Sequence, residues 1–272
     1  MEYEIKPRSR IHLNFSELWL FRELTYFFVW RDIKIKYKQT VLGASWAILQ
    51  PVLLMLIFTL FFSRIIGQKE LSMPYPAFVF SGLIFWNVFA SGLANAGNSM
   101  VSNANIIKKI YFPRIIIPIS SVLSTLVDFS ISFVLFLILT FIYPMEISWL
   151  SMIIVLPISL CIVLFTTFGL GSLLAALNVK YRDFRYVIPF FIQILLFLTP
   201  VIYPVSIIPE GILLDILLLN PLATALDIFR AAVSGAEMDF MLMTRGLLFS
   251  VVLLIAGMLY FRKTEYYFAD LA

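Results

Sequence analysis

The chain has 272 residues, of which 61% are hydrophobic and 13% are charged, and its formal net charge is +4. This balance excludes a water-soluble domain, because several uncharged segments reach the ~20 residues that a helix needs to cross a ~30 Å hydrocarbon core. The apolar runs are continuous rather than alternating, so they predict membrane helices and not the strands of a transmembrane β-barrel.

The N-terminal region predicts a cytoplasmic tail followed by a helix on the membrane surface. The first fifteen residues are charged and lack an apolar core, so we expect no cleaved signal peptide. From Ser16, placed as an N-cap, to Trp30, apolar residues recur at helical spacing and predict an amphipathic interface helix. Its predicted apolar face consists of Leu20, Phe21, Leu24, Phe27 and Phe28. The run IKIKYK at 33–38 alternates with period two. We interpret it as a continued helix or an irregular turn, because a lone strand would lack a partner.

Six apolar segments predict six transmembrane helices. They cover residues 45–66, kinked at Pro51, and residues 77–100, 115–143, 149–177, 187–207 and 242–261. Residues 208–241 are apolar but interrupted by prolines and glycines, which favours two short re-entrant helices on the external side. We therefore predict an all-α integral membrane fold, with a tail and interface helix at 1–44 and a six-helix domain at 45–272.

The distribution of basic residues predicts the orientation. If the chain ends and segments 30–40, 102–114 and 178–186 share one side, only Arg64, Lys69, Arg230 and Arg245 lie on the other, which leaves sixteen of the twenty Lys and Arg together. Cytoplasmic loops carry such an excess of Lys and Arg. We predict that both termini are cytoplasmic.

No segment carries a GxxxxGK[ST], HExxH or GxSxG motif, so the sequence offers neither a phosphate-binding loop nor a catalytic constellation. The single cysteine, Cys161, and the single histidine, His12, exclude a disulfide framework and a multi-histidine metal site within the chain. We predict a chain that is not an enzyme by itself, with no catalytic residue, no metal and no cofactor. A membrane-embedded transferase would need buried acids and histidines that the sequence lacks.

Asp128 is the one ionisable residue that the prediction places near the middle of a span. A lone acid can pair with a neighbouring helix, which we favour, or it can carry a proton or cation. An ion-coupled carrier normally needs several such groups, so a partner chain is the better source of energy for transport.

Four segments resemble, in the right order, the ABC-2 type permeases that export polysaccharides. They are residues 21–51, NIIKKIYFPR at 105–114, NVKYRDFRY at 178–186 and NPLATALDIFR at 220–230. The resemblance implies a type V exporter-like fold with one permease domain over about 16–272, in a bacterial inner membrane. It also implies two copies around a central conduit and two separate ATPase chains that bind ATP and Mg. Nucleic acid is not an expected partner.

The resemblance also implies roles for residues. The first cytoplasmic connector would couple to the ATPase, and the second loop would make a secondary contact with it. Basic residues of the interface helix would receive the anionic head of the lipid-linked substrate, and aromatic residues would line the conduit. The coupling residues are Ile106, Ile107, Lys108, Lys109, Ile110, Tyr111, Phe112, Pro113 and Arg114. The secondary contacts are Lys180, Arg182, Asp183 and Arg185; the entry residues are Arg31, Lys34, Lys36 and Lys38; the lining candidates are Phe85, Trp86 and Tyr203. The three cations of the connector have an alternative reading as topology signals alone.

The function implied is export of a lipid-linked polysaccharide, with O-antigen as the favoured cargo. Capsule, teichoic acid, or a small lipid or drug are alternative cargoes of the same fold, and an ion-coupled carrier is the alternative from another class.

Overall fold

The computed structural model describes residues 15–38, 45–66, 71, 73–143, 145 and 147–265. Within these ranges the chain forms α-helices and no β-strand, which confirms the all-α membrane fold. The helices are α1 (Phe15–Leu20), α2 (Arg22–Lys38), α3 (Ser45–Ile66), α4 (Tyr75–Ser102), α5 (Ala104–Ile107), α6 (Ile116–Leu123), α7 (Thr125–Ile142), α8 (Trp149–Lys180), α9 (Phe184–Leu198), α10 (Ile212–Leu218), α11 (Pro221–Ser234) and α12 (Phe240–Glu265). A short 3-10 turn occupies Val205–Ile207.

Five of these helical segments are long and apolar enough to cross a membrane: α3, α4, the α6–α7 pair, α8 and α12. The pair α10 and α11 would make a sixth segment if counted as one span, but its two helices meet at 84°. This bend agrees with the predicted re-entrant pair. α11, however, lies inside the bundle against α8 and α12, and only α10 is largely exposed.

Helix α4 forms the centre of the bundle. In its apolar window 78% of the residues are buried, against 11% for α3. Phe85 packs edge-on against Phe229 of α11 with ring centroids 4.9 Å apart, and α4 also contacts α3, α6, α7, α8 and α9. Pro74 and Pro76 stand at its start, where a missing backbone N–H costs no helical hydrogen bond.

Glycines allow α8 and α12 to lie backbone against backbone. A Cβ atom at Gly257 would overlap the carbonyl of Gly169, and a Cβ at Gly169 would lie 2.4 Å from the carbonyl oxygen of Leu253. Small residues permit such close approach in membranes, where packing replaces the hydrophobic effect as the force between helices.

The proline in α3 leaves its helix continuous, whereas the two prolines after α9 lie in non-helical chain. α3 continues through Pro51 as one helix. Proline lacks the N–H that would bond the carbonyl of Ala47 in an α-helix, and this carbonyl instead accepts a hydrogen bond from Ser132 Oγ of α7 at 3.2 Å.

The fifth span was predicted to reach residue 207, and this is wrong: α9 ends at Leu198. Its 15 residues extend about 22 Å, less than a ~30 Å hydrocarbon core. The chain beyond Leu198 is non-helical where Pro200 and Pro204 remove backbone donors.

The interface region forms two helices, α1 and α2, and α2 continues to Lys38, so the interpretation of IKIKYK as a continued helix is confirmed. Phe21, Leu24 and Phe28, spaced by three and four residues, pack toward the bundle. Leu20 and Phe27 were predicted on the same face but are exposed by 74% and 53%. The predicted tail and the side chain of Ser16 lie outside the described residues.

Candidate functional site at the basic end

Apolar side chains hold the interface helix, the first cytoplasmic connector and the last helix together at one end of the bundle. The name connector refers to residues 103–115. Phe28 of α2 packs on Phe112 of the connector with ring centroids 5.7 Å apart. Met100, Ile107 and Phe261 belong to the same buried cluster. We call this end, where α2, residues 103–115 and the C-terminal ends of α8 and α12 gather, the basic end.

The connector presents its residues in two opposite directions. Ile107 and Phe112 are buried in the chain's own core, with 7% and 5% exposure. Lys108 and Lys109 are exposed, and Ile110 and Tyr111 are exposed by 59% and 79%. The prediction that all the apolar residues here face a partner is therefore wrong for Ile107 and Phe112, because these side chains anchor the connector from inside. Ile106 and Pro113 are half-buried.

Arg114 ties the connector to the end of α12. Its backbone N–H donates to Glu265 Oε1 at 3.1 Å, and its guanidinium donates to the backbone carbonyl of Glu265. The predicted role of Arg114 at a partner's acidic groups stays a prediction, because the bond to Glu265 uses only one nitrogen of the guanidinium. Lys108 and Lys109 are the cations of the connector that face outward.

The second loop, residues 178–186, begins at the C-terminal end of α8, which belongs to the basic end. Asn178, in the last turn of α8, donates from Nδ2 to the carbonyl of Gly97 at 2.9 Å and to Asn98 Oδ1 at 3.1 Å, which joins the C-terminal ends of α4 and α8. The loop residues with a predicted secondary role are all exposed: Lys180, Arg182, Asp183 and Arg185. Both predicted contact segments are thus brought to one end, and their contact with an ATPase stays a prediction.

Of the four basic residues of the predicted entry site, Arg31 and Lys36 bind carboxylates, and Lys34 and Lys38 line a surface hollow. Arg31 donates to Asp32 Oδ1 from Nε at 3.0 Å and from Nη2 at 2.7 Å, and Lys36 forms an ion pair with Asp128. Lys34 lies over the Trp30 ring, 4.3 Å from its centroid. Lys34 and Lys38 line a shallow surface hollow together with Trp30, Ile33 and Tyr37. We call this hollow of about 450 Å³ the α2 hollow.

Asp128, near the start of α7, is held by the end of α2. Lys36 Nζ bonds its Oδ2 and the Tyr37 hydroxyl donates to its Oδ1, so both carboxylate oxygens accept from one helix. Burial, followed by the hydrogen bond to Asp128, raises the pKa of Tyr37 above its usual range. The interpretation that this lone acid pairs with a neighbouring helix is confirmed.

Two of the three conduit candidates lie inside the subunit. Phe85 and Trp86 are exposed by 1% and 6% and fill the core, which contradicts the predicted lining role. Their position on α4 could not be read from the sequence because that helix is apolar on every side. Tyr203 is half-buried, and its hydroxyl donates to the carbonyl of Phe197 at 2.9 Å.

A buried arginine at the opposite end was missed by the sequence interpretation. Arg230 of α11 is only 4% exposed, and its guanidinium lies over the ring of Phe78, 3.6 Å from the centroid. It donates to Pro200 O at 2.7 Å, Val201 O at 2.7 Å, Phe78 O at 3.1 Å and Ser81 Oγ at 3.3 Å. The signal available was a single basic residue within the apolar 212–233 segment, but the charge count placed it only on the external side.

The segment that Arg230 binds is the non-helical stretch 199–203, which we call the break. Tyr75 of α4 donates from its hydroxyl to Ile202 O at 2.9 Å, and Asn220 Nδ2 donates to Thr199 Oγ1 at 3.0 Å. In hydrocarbon an unpaired backbone group is costly, so irregular backbone persists only where protein groups satisfy it. Side chains of α4 and α11 provide those groups here. We call the first turns of α4, the break and α11 together the far end.

Comparison with known proteins places the chain among transporters. A model of the ABC-2 type transporter family matches residues 23–234. The "O-antigen export system permease protein RfbA" of Klebsiella pneumoniae is 30% identical over 244 residues, which cover 89% of this chain and 92% of that protein. RfbA of Myxococcus xanthus is 30% identical over 216 residues, covering 79% and 82%. The "Polysialic acid transport protein KpsM" of Escherichia coli is 25% identical over 246 residues, covering 86% and 91%.

Proposed function

Because the chain belongs to the ABC-2 type transporter family, we propose that it is the membrane permease of an ATP-driven polysaccharide exporter in a bacterial inner membrane. The observation that carries this proposal is the similarity to RfbA permeases over 89% of the chain. The proposed cargo is a lipid-linked O-antigen, favoured over a capsule polymer because identity is 30% to RfbA and 25% to KpsM.

The proposed assembly contains two copies of this chain and two ATPase chains that bind ATP and Mg, with the basic end and both termini in the cytoplasm. Cations collected at one end support this orientation. The two copies would meet through α3 and α9, which expose large apolar side chains such as Leu60, Phe61, Phe190 and Phe197. A second copy would cover part of these faces and lipid the rest.

The geometry of the connector supports a route from the ATPase into the bundle. An ATPase groove would seat the exposed tip, Lys108 to Tyr111, while Ile107 and Phe112 fix the flanks of that tip in the basic-end cluster. A push on the tip would therefore reach α2 through the Phe28–Phe112 contact and α12 through Arg114. Nucleotide-driven motion would separate the two copies along α3 and α9.

The α2 hollow is the proposed entry point for the head of the lipid-linked glycan. Lys34 and Lys38 line it and, among the residues that the structure describes, have no carboxylate partner of the kind that Arg31 and Lys36 have. Their charges match the negative charge of a diphosphate. The rings of Trp30 and Tyr37 line the same hollow and offer stacking surfaces for a sugar ring. The entry site thus narrows from four basic residues to two.

The entry proposal is tested by replacing Lys34→Gln together with Lys38→Gln and measuring glycan export. Arg22→Gln with Lys263→Gln is the matched control, because it removes the same charge from exposed positions outside the hollow. We expect export to fall severalfold in the first pair only. Equal losses in both pairs would reduce the role of the hollow to general attraction for anionic lipid.

The function itself is tested by co-expressing the chain with candidate ATPase subunits and measuring ATPase activity in lipid discs. We expect a complex of two plus two chains whose activity changes when a polyprenyl-linked glycan is added, but not when a small amphiphilic drug is added. Stimulation by the drug alone would favour a small-lipid or drug exporter. If no ATPase chain associates, the proposal is wrong.

A further inference from the structure

Side chains of α4 and α11 hydrogen-bond to the break between α9 and the 3-10 turn, and Arg230 connects the break to both helices. One guanidinium reaches two carbonyls of the break, Pro200 and Val201, and two oxygens of α4, on Phe78 and Ser81. Its planar fork of five N–H donors can serve four oxygens at once, which a lysine or an amide cannot do.

Gly82 and Phe78 of α4 provide the space and the ring face against which the Arg230 guanidinium lies. A Cβ at Gly82 would lie 2.5 Å from Arg230 Nη2 and 2.8 Å from Val201 O, so any larger residue would displace the guanidinium or the break. The Phe78 ring covers one face of the guanidinium. All four hydrogen-bond acceptors are uncharged oxygens, so backbone and hydroxyl dipoles orient the guanidinium. Asp227, also on α11, adds electrostatic attraction without a direct hydrogen bond. A charge kept in such a place inside a membrane bundle marks a site of function more often than a site of stability.

We propose that Arg230 is a positioning residue for polysaccharide passage: it clamps the break to α4 and α11, so that Tyr203 keeps a fixed place at the subunit surface while the basic end moves. Tyr203 directly follows the residues that Arg230 and Tyr75 bind, and its hydroxyl reaches back to the Phe197 carbonyl at the end of α9. The ring is half-buried, which leaves one part of it available to a passing sugar.

This inference rests on the proposed function and adds that one part of the subunit moves during transport while another part stays fixed. The helix α9 has an exposed face and few contacts beyond α4 and α8, whereas the break at its end is fixed by side chains of two other helices. Motion of α9 would therefore pivot at the break. Without Arg230 the break would move with α9, and Tyr203 would no longer hold its position.

The test uses the complete complex with its ATPase in lipid discs, in a Cys161→Ser background. Variants Arg230→Gln, Arg230→Lys and Gly82→Ala are compared with one matched control. Arg245→Gln removes an arginine from α12, outside the clamp. Gly82→Ala keeps the arginine but crowds it, so it addresses the same clamp independently. Two quantities are measured: glycan exported per ATP hydrolysed, and the mobility of nitroxide labels at Ser206, beside the break, and at Lys263, at the basic end.

We expect Arg230→Gln and Gly82→Ala to assemble, to hydrolyse ATP, and to lower export per ATP by roughly tenfold, the factor that losing one charge-assisted hydrogen bond gives. The label at Ser206 should become mobile while the label at Lys263 does not, and Arg230→Lys should restore part of the export. The control Arg245→Gln should behave as the wild type.

Two results would overturn the proposal. One is unchanged export per ATP in Arg230→Gln and Gly82→Ala. The other is loosening of both labels to the same extent, which would assign Arg230 to general stability. If Arg230→Gln does not assemble, Gly82→Ala and Arg230→Lys decide by the same criteria. Failure of the proposed function is distinguishable, because it would remove the glycan response from the wild-type complex itself.

Discussion

The two ends of the bundle are built from different interactions. At the basic end, α2 and the connector are held by apolar contacts such as Phe28 with Phe112, by part-buried hydrogen bonds from Arg114 to Glu265, and by the Lys36–Asp128 pair, in which the Lys36 side chain is 48% exposed. At the far end, a fully enclosed guanidinium binds four oxygens in two segments of chain. Contacts of the first kind rearrange at small cost, while contacts of the second kind do not, because each donor or acceptor left buried and unpaired is penalised.

This difference suggests which part of the permease moves. A segment that receives a push from an ATPase has to shift relative to the bundle, and apolar packing allows sliding without leaving orphaned polar groups. A segment that contacts a moving polymer has to stay in place. The predictions below separate the two ends, from the largest expected effect to the smallest.

Replacing Arg230→Ala should cause the largest loss of stability. The carbonyls of Pro200 and Val201 lose their donor, while the Phe78 carbonyl keeps the Ser81 hydroxyl. At about 1–3 kcal/mol for each unpaired group, the free energy of unfolding should fall by about 4 kcal/mol. Thermal unfolding of the chain in lipid discs measures the loss, with Arg245→Ala as the control. A loss no larger than that of the control would mean that water or other donors satisfy the break.

Replacing Phe112→Ala should be the most damaging change at the basic end. It removes a ring that is 5% exposed, and large-to-small changes at buried aromatic positions cost about 3 kcal/mol. Phe112→Leu keeps most of the volume and should cost about 1 kcal/mol. The same unfolding measurement applies, combined with the fraction of chain that co-purifies with the ATPase. If Phe112→Ala impaired docking while leaving stability unchanged, Phe112 would belong to the partner surface after all.

The Lys36–Asp128 pair should have a moderate effect. Asp128→Asn leaves Lys36 without its carboxylate, and for a partly exposed pair this should cost about 1 kcal/mol. The exchange Lys36→Asp with Asp128→Lys should restore only part of it, because it places an acid near the C-terminus of α2 and a cation near the N-terminus of α7. Unfolding and export are both measured for the single and double variants. Loss of export in Asp128→Asn with stability retained would return Asp128 to consideration as an ion-carrying residue.

The smallest effect on stability is expected for the connector tip. Ile110→Ala with Tyr111→Ala changes side chains exposed by 59% and 79%, so the free energy of unfolding should move by less than about 0.5 kcal/mol. The same pair should abolish association with the ATPase, measured by co-purification. Normal association would move the docking surface elsewhere, with the exposed loop of Lys180 to Arg185 as the next candidate.

Hydropathy and charge were sufficient to predict the helical class, most of the spans and the grouping of the cations, because lipid imposes length and internal hydrogen bonding on any spanning segment. They did not predict which side of the connector faces inward, because Ile107, Ile110 and Phe112 are all apolar and only packing separates them. α9 ends at Leu198, before Pro200 and Pro204, whereas the predicted span included both prolines. Arg230 was counted only as an external charge, and its burial was not predicted, since most of its partners are backbone oxygens that have no sequence signature.

The comparison between the two ends is tested most directly by hydrogen–deuterium exchange on the assembled permease and ATPase complex, with and without ATP and Mg. The account predicts that nucleotide changes exchange in residues 103–115 and in α2, while the first turns of α4, the break and α11 keep the same slow exchange in both states. Equal changes at both ends, or changes confined to the far end, would contradict it.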